Sequence, residues 1–325
     1  MCVIWKKVNC MKIKVLLAAP RWYCAGVNRA IQIVDKAIVD YGTPLYVNHE
    51  IIHNKYIISH FENKGVIFWE KVENIDAWNI IVFSAHWIWP EFVSRVRKQW
   101  LQFIDASCPL VVKVHNEAQK FLSEWYEIIY IWKKWHQEAE WIKEESREHI
   151  HIISNATDLE NINFWAEQKV ALLTQTTLSV SETEKLIEDV KKKFPNVVLP
   201  KAWDICYATT NRQKAVHTIC KTADMLIVVG SKNSSNSSKL QHIWEEYNIE
   251  SLLIDSYKEL DGNVLETLAQ GKETLTIAVS GWASAPEKLI QELIKYLESI
   301  RDVEIEEVTV AEEKIVFPSK LILCK

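Results

Sequence analysis

Glycine is scarce in this chain. There are 7 in 325 residues, where ordinary usage of about 7% gives roughly 23. Tryptophan runs the other way, at 15. Many of these stand where a turn is expected, as in PRWYC, SAHWIWPEF, YIWKKWHQEAEW and SGWASAP. A turn that needs positive φ normally takes glycine, and a bulky indole is a poor occupant. The pattern fits a source that reads as glycine one codon rendered here as tryptophan; the plain alternative is a tryptophan-rich core. Long apolar runs are missing too: none approaches the ~18 residues of a membrane span. VLLAA, near the start, is shorter than the about 7–15 residues of a signal-peptide core. Excess basic charge is absent, with a net charge of −5, so nucleic acid has no bulk electrostatic attraction to offer. Seven cysteines is an odd number, widely scattered. That excludes a disulfide framework and fits a reducing cytoplasm, with thiols kept for metal or catalysis.

What is present is an alternation of short apolar strands and amphipathic helices. KIKVLLA at 12–18 reads as a strand, with Met11 as the expected start. Val27, Ala30, Ile31, Val34, Ala37 and Ile38 recur at helical spacing from Ala25 to Tyr41, and Gly42 ends that helix. A helix is expected over EIIHNKYIISHFENKG, with strands at VIFW and IIVFSAH. Further strands are expected at EIIYI, HIHIIS, KVALLTQT, MLIVVG, SLLID and TLTIAVSG, and SVSETEKLIEDVKKKF reads as a helix with a Ser cap. The tail from 303 is acidic and then strand-like at KIVFP. This pattern predicts an α/β fold with mostly parallel sheets. The segments are 11–107, 108–203 and 204–302, a loose threefold repeat, followed by a tail over 303–325. No Pro-, Gly- or Ser-rich linker separates them.

Three cysteines share one context. Cys24, Cys108 and Cys206 each stand between an expected strand and a helix. In open parallel sheets ligands bind at the carboxyl ends of strands, so three such thiols predict one centre assembled from distant parts of the chain. Three thiolates suit zinc or an iron–sulfur cluster. Cys2, Cys10, Cys220 and Cys324 lack that context and read as structural or incidental. Other polar residues expected at the same ends are His86, His136, Glu138, Thr176, Ser234, Ser235, Asn236 and Ser284, with His53 at a helix start. GSKNSSNSS offers hydroxyls and free N–H groups at a helix start, an anion site without the ending of a nucleotide P-loop. Glu138, in a loop beside His136, is a candidate proton donor, since burial and neighbouring negative charge raise a carboxyl pKa.

These residues resemble the 4-hydroxy-3-methylbut-2-enyl diphosphate reductase family. The likeness runs from about Lys14 to Pro318 through PRWYCAGVNRAI, VNHEIIHN, FSAHWI, DASCPLVVKVH, KKWHQEAEW, TQTTLS, DICYATTNRQ, GSKNSSNS and ASAPE. It implies three similar α/β domains around a central iron–sulfur site, with one 4Fe–4S cluster per chain held by Cys24, Cys108 and Cys206. It further implies that His53, His86 and His136 contact the substrate, that Ser234, Ser235, Asn236 and Ser284 bind its diphosphate, and that Glu138 relays protons. Thr176 and Thr177 would assist near the substrate hydroxyl. The implied reaction is reductive dehydroxylation of the hydroxymethylbutenyl diphosphate to isopentenyl and dimethylallyl diphosphates. The resemblance implies ferredoxin or flavodoxin as electron donor; a cytoplasmic monomer is the expectation, since the cysteines fit a reducing compartment and nothing in the sequence demands an oligomer. Trp22, Trp87, Trp132, Trp135, Trp141 and Trp282 stand where that family pattern has glycine, Gln137 replaces a usual proline and Lys133 a common histidine. Three other readings stay open: a zinc-dependent hydrolase of a phosphorylated metabolite, a non-catalytic cluster protein sensing iron or oxygen, against which the Ser/Asn and His sets argue, and a degenerate non-catalytic homologue if those tryptophans are real.

Overall fold

The computed structural model describes residues 11–69, 71–85, 90–132, 146, 148–165, 167–200, 204–232 and 234–324, without the side chains of 90, 91 and 235. In chain order come β1 (Lys12–Ala19), α1 (Ala25–Tyr41), β2 (Leu45–Asn48), α2 (Lys55–Glu62), β3 (Val66–Trp69), β4 (Ile80–Phe83), α3 (Pro90–Lys98), β5 (Gln102–Asp105) and α4 (Pro109–Ser123). There follow β6 (Glu127–Ile131), β7 (Ile150–Ile153), α5 (Ala156–Glu160), β8 (Val170–Thr174), α6 (Val180–Lys193) and α7 (Tyr207–Cys220). The last part holds β9 (Met225–Val229), α8 (Ser235–His242), α9 (Trp244–Tyr247), β10 (Glu250–Ile254), α10 (Gly262–Ala269), β11 (Thr274–Gly281), α11 (Glu287–Ile300), β12 (Val303–Thr309) and β13 (Leu323–Cys324). The alternation is thus α/β with mostly parallel sheets, as the pattern predicts.

The chain divides into two compact units. One joins the described residues up to Tyr23 to Asn211–Lys314. Its sheet runs β10-β9-β11-β1-β12, all parallel. β9 is MLIVV, with all five residues buried, because helices cover both faces of such a sheet and leave no solvent side for polar alternation. Its core gathers Ile13, Val15 and Leu17 with Ile227, Ile277 and the inner face of α11. Burying each such side chain stabilises by about 1.5–3 kcal/mol.

The second unit joins Cys24–Thr210 to the chain from Ile315 onward. It holds two sheets. One runs β13-β5-β4-β2-β3, parallel except for β13 against β5. The other, β7-β6-β8, is parallel. Each has its own cluster of buried side chains, Ile81, Phe83 and Phe103 in the first and Ile129, Leu172 and Ile187 in the second.

Three details differ from the expectations. β1 lies in segment 11–107 but pairs with β11 and β12. The strand in the tail is the acidic stretch Val303–Thr309, one residue run before KIVFP, which has no regular structure. Val303 and Ile305 alternate with Glu304 and Glu306, as suits an edge strand, and pairing with β1 gives its backbone partners. α2 begins only at Lys55, because Asn54 accepts from the Ile57 N–H and caps it; His53 therefore precedes the helix.

Candidate active site

Cys24, Cys108 and Cys206 all fall in the second unit. Cys24 is the N-cap of α1, and its Sγ accepts from the Val27 N–H at 3.5 Å. Cys108 is the N-cap of α4, where Pro109 opens the helix. Its N–H donates to Ala85 O at 2.9 Å, which anchors the turn to the end of β4. Cys206 immediately precedes α7, and its N–H donates to Thr176 O at 2.9 Å. The N-terminus of a helix favours negative charge, so each thiol sits where a thiolate is stabilised. Burial nevertheless pushes the Cys108 thiol up, and the nearby Cys206 thiolate adds to this, while the N–H groups of Leu110 and Val111 and the Arg29 guanidinium act the other way. The Thr209 hydroxyl lies 3.2 Å from Cys206 Sγ and donates to Thr176 O at 3.0 Å.

Gly26 shows how closely two of the sulfurs converge. A Cβ built there would stand 2.6 Å from Cys108 Sγ and 3.8 Å from Cys24 Sγ. Only a residue without a side chain leaves this space open. Among the described residues no group of three His, Cys, Asp or Glu side chains is arranged to hold a single metal ion. Three soft thiolates from three turns, two of them close to a bare glycine, are the donor type that zinc or an iron–sulfur group takes.

Polar contacts tie these turns pairwise. Arg29, on α1, donates to Ser107 O at 2.8 Å and Asp105 O at 3.2 Å, so the Cys24 helix grips the strand end before Cys108. Ala25 N–H donates to the Tyr207 hydroxyl at 3.1 Å, linking the residues that follow Cys24 and Cys206. Lys113, on α4, reaches Asp204 at 3.4 Å, linking the Cys108 helix to the turn before Cys206. Asp204 also accepts from Thr174 N–H at 3.0 Å; burial raises its carboxyl pKa to about 6. None of Arg29, Tyr207 and Asp204 stood out in the sequence. The signal was available, since each lies within five residues of a singled-out cysteine.

Among the other predicted residues of this unit, Thr176 supplies the carbonyl that holds both Cys206 and Thr209. Thr177 follows it, half-buried, after β8. His53 is half-buried, with Nδ1 3.0 Å from Glu50 Oε2. His86, His136 and Glu138 lie outside the described residues. Burial pushes the Cys220 thiol up to about 12, and Cys324 packs against the Phe103 cluster.

The hydroxyl-rich set lies in the first unit. Ser234 is buried and caps α8, accepting from Ser237 N–H at 3.4 Å. Ser284 is buried after β11. Ser235 and Asn236 lie in the first turn of α8. Asn236 Oδ1 and the hydroxyls of Ser231, Ser237 and Ser280 are buried with no hydrogen-bond partner among the described residues. Gly230 brings the backbone in tightly, for a Cβ there would meet Ser237 Oγ at 2.4 Å. Buried polar atoms are normally paired, so these four atoms are candidates to meet a polar ligand. Ser231, Ser237 and Ser280 were missed in the sequence, although the first two belong to the same serine-rich run. Trp22 and Trp282 also fall in this unit. Trp22 is part-exposed beside Arg21, and Trp282 is buried, with its N–H 3.4 Å from Val229 O.

Comparison with known proteins gives one answer. A family model described as LytB protein matches residues 15–298. The chain is 41% identical over 305 residues to a 4-hydroxy-3-methylbut-2-enyl diphosphate reductase of Streptomyces coelicolor, covering 94% of this chain and 88% of that one. It is 39% identical to the reductase of the same name from Nitrosomonas europaea, covering 94% and 96%. The fold is similar to the solved structure of the E-1-hydroxy-2-methyl-but-2-enyl-4-diphosphate reductase from Plasmodium falciparum, with a TM-score of 0.86, 33% identity and 94% of each chain covered.

Proposed function

The chain belongs to the LytB protein family, and from that premise we propose that it is a reductase of (E)-4-hydroxy-3-methylbut-2-enyl diphosphate, yielding isopentenyl and dimethylallyl diphosphates. The observation that supports this reading is that Cys24, Cys108 and Cys206 stand at three helix starts of one unit, with the sulfurs of Cys24 and Cys108 both close to the bare Gly26. These three thiolates would hold a 4Fe–4S cluster. When bound, the cluster supplies the electrons that break the allylic C–O bond. Per turnover two electrons and two protons enter and one water leaves.

This chain's own groups bind and protonate. Ser234 and Asn236 at the N-terminus of α8, together with Ser284 after β11, would take the diphosphate, whose charge the helix end favours; Ser235 joins them on its place in the sequence. His53 would add a donor, with Glu50 fixing its ring through Nδ1. His86 and His136 are assigned to the diphosphate, and Glu138 to proton delivery, on their motifs. Thr176 and Thr177 follow β8, beside the turn that carries Cys206, and would orient the substrate hydroxyl. Electrons would come from a ferredoxin or flavodoxin. No helix among the described residues is long and apolar enough to cross a membrane.

The test is purification without oxygen, followed by metal and acid-labile sulfide analysis and a turnover assay with a reduced donor. About four iron and four sulfide per chain, with conversion of the diphosphate, is the expected result. Zinc without sulfide would put the hydrolase reading in its place. Glu138→Gln should keep cluster and diphosphate binding yet lose most turnover; unchanged turnover removes Glu138 from the mechanism.

A further inference from the structure

Eight described residues hold φ in the left-handed region. Gly42, Gly65 and Gly271 are three of them; the others are His49, Trp78, Trp100, Trp125 and Asn248. Asn and His are among the side chains that tolerate this region, and Trp is not. Yet Trp78, Trp100 and Trp125 have φ of 73°, 59° and 63°.

The hydrogen bonds identify two of these positions. After α3, Trp100 N–H donates to Arg97 O and Leu101 N–H to Val96 O. After α4, Trp125 N–H donates to Leu122 O and Tyr126 N–H to Phe121 O. Each is the paired bonding of a Schellman helix end, and each tryptophan holds the left-handed C′ position that glycine usually fills. Trp78, in the turn before β4, donates its N–H to Trp100 O at 3.2 Å. The side chains bring little in return, for they are 72%, 68% and 81% exposed. Trp78 and Trp100 do stack, at 5.9 Å between rings. An exposed stacked pair could suggest a docking face, but stacking does not account for the backbone and leaves Trp125 unexplained.

We infer that Trp78, Trp100 and Trp125 are glycines in the protein as its own cell makes it, the codon behind them being read there as glycine. The backbone calls for glycine at these three sites independently of the low glycine count. The same reading extends by the shared codon to Trp22 and Trp282. It would clear an indole from beside Arg21 and a buried one from the end of β11.

Two measurements test this. Peptide mass spectrometry of the protein purified from its native source should find glycine at 78, 100 and 125; tryptophan at any of the three overturns the inference. In recombinant protein, thermal midpoints are compared for the chain as written, a triple Trp→Gly variant and a triple Trp→Ala variant. Glycine should raise the midpoint by roughly 2–4 °C or more, and alanine should raise it less. An equal rise for both would trace the gain to lost indoles instead of the backbone and would count against the inference, as would no rise.

Discussion

At the scale of single residues, Gly26 makes the firmest claim on the site. Its missing side chain is the space in which Cys108 Sγ lies. Gly26→Ala should fold with an unchanged far-ultraviolet circular dichroism spectrum, because alanine favours helix. It should retain only a minor fraction of the wild-type iron and sulfide, since its methyl displaces one sulfur. Full iron content in that variant would remove Cys108 from the centre. Ser234 offers a separable effect in the other unit. Ser234→Ala removes the cap of α8 and should cost about 1 kcal/mol of stability. It should also weaken diphosphate binding about tenfold, the loss of one hydrogen bond to a charged group. Titration of substrate into the variant, with iron measured alongside, checks both; loss of iron instead of affinity would move this loop out of the diphosphate role. Cys24 and Cys108 follow strands, whereas Cys206 follows α6 with no named strand between them among the described residues, contrary to the expected pattern. The cysteines were legible one by one because each opens a helix. Gly26 was not, because its importance lies in a neighbour 82 positions away in the chain.

Between elements, the three cysteine turns do not rely on the metal group alone for their spacing. Arg29 joins the first to the second, Tyr207 the first to the third, and Lys113 with Asp204 the second to the third. A hydrogen bond of this kind stabilises by about 0.5–1.5 kcal/mol, too little to fix a fold and enough to hold a preformed ring of thiols. Tyr207→Phe and Arg29→Met should therefore leave the thermal midpoint of the metal-free protein within a few degrees of wild type. Iron release to a chelator should be several-fold faster, and Arg29→Lys, which keeps the charge but loses the fork, should behave like Arg29→Met. Unchanged release rates would show that the ties do not act on the site. Elsewhere Glu127, at the start of β6, accepts from His149 at 2.8 Å and from His151 of β7 at 2.6 Å. Partial burial acts to raise the Glu127 pKa, but the hydrogen bonds of His151 and His149 prevail and hold it below the usual value. A depressed carboxylate contributes stability that is present above its unfolded pKa, about 4.5, and is lost as pH falls through the folded value. Wild type should lose more thermal stability than Glu127→Gln on going from pH 6 to pH 3, and parallel curves would dismiss the effect.

For the whole molecule, the alternation of strands and helices was readable because buried parallel strands announce themselves as apolar runs and their helices as 3.6-residue patterns. Partner choice was not readable. Nothing local in KIKVLLAA says that it lies between β11 and β12, hundreds of positions away. Its apolar faces would suit any central place in a parallel sheet. The tail was misread for the same reason: VEIEEVT looks like a solvated acidic stretch until β1 supplies its hydrogen bonds. The end of the chain then returns to the cysteine-bearing unit. β13 adds an antiparallel edge to β5 through Leu323↔Ile104 and Cys324↔Phe103. Pro318 O accepts from Arg29 at 3.1 Å, and Ser319 accepts from Lys36 on the same helix. Arg29 is thus shared between the final segment and the strand end before Cys108. A stop after Lys314 removes β13 and these contacts but keeps Glu313, whose buried pairing with Arg212 at 2.9 Å belongs to the other unit. The truncated chain should lose on the order of 1–3 kcal/mol, the sum of a few partly exposed hydrogen bonds. It should also release iron faster than the full chain, because Arg29 loses one of its three anchors. Glu313→Ala should act differently. It leaves a buried guanidinium without its carboxylate, at about 3–5 kcal/mol, so urea unfolding of the two variants should rank Glu313→Ala as the less stable. Only the truncation should accelerate iron loss under native conditions, and equal release rates in both would mean that the final segment does not act through Arg29.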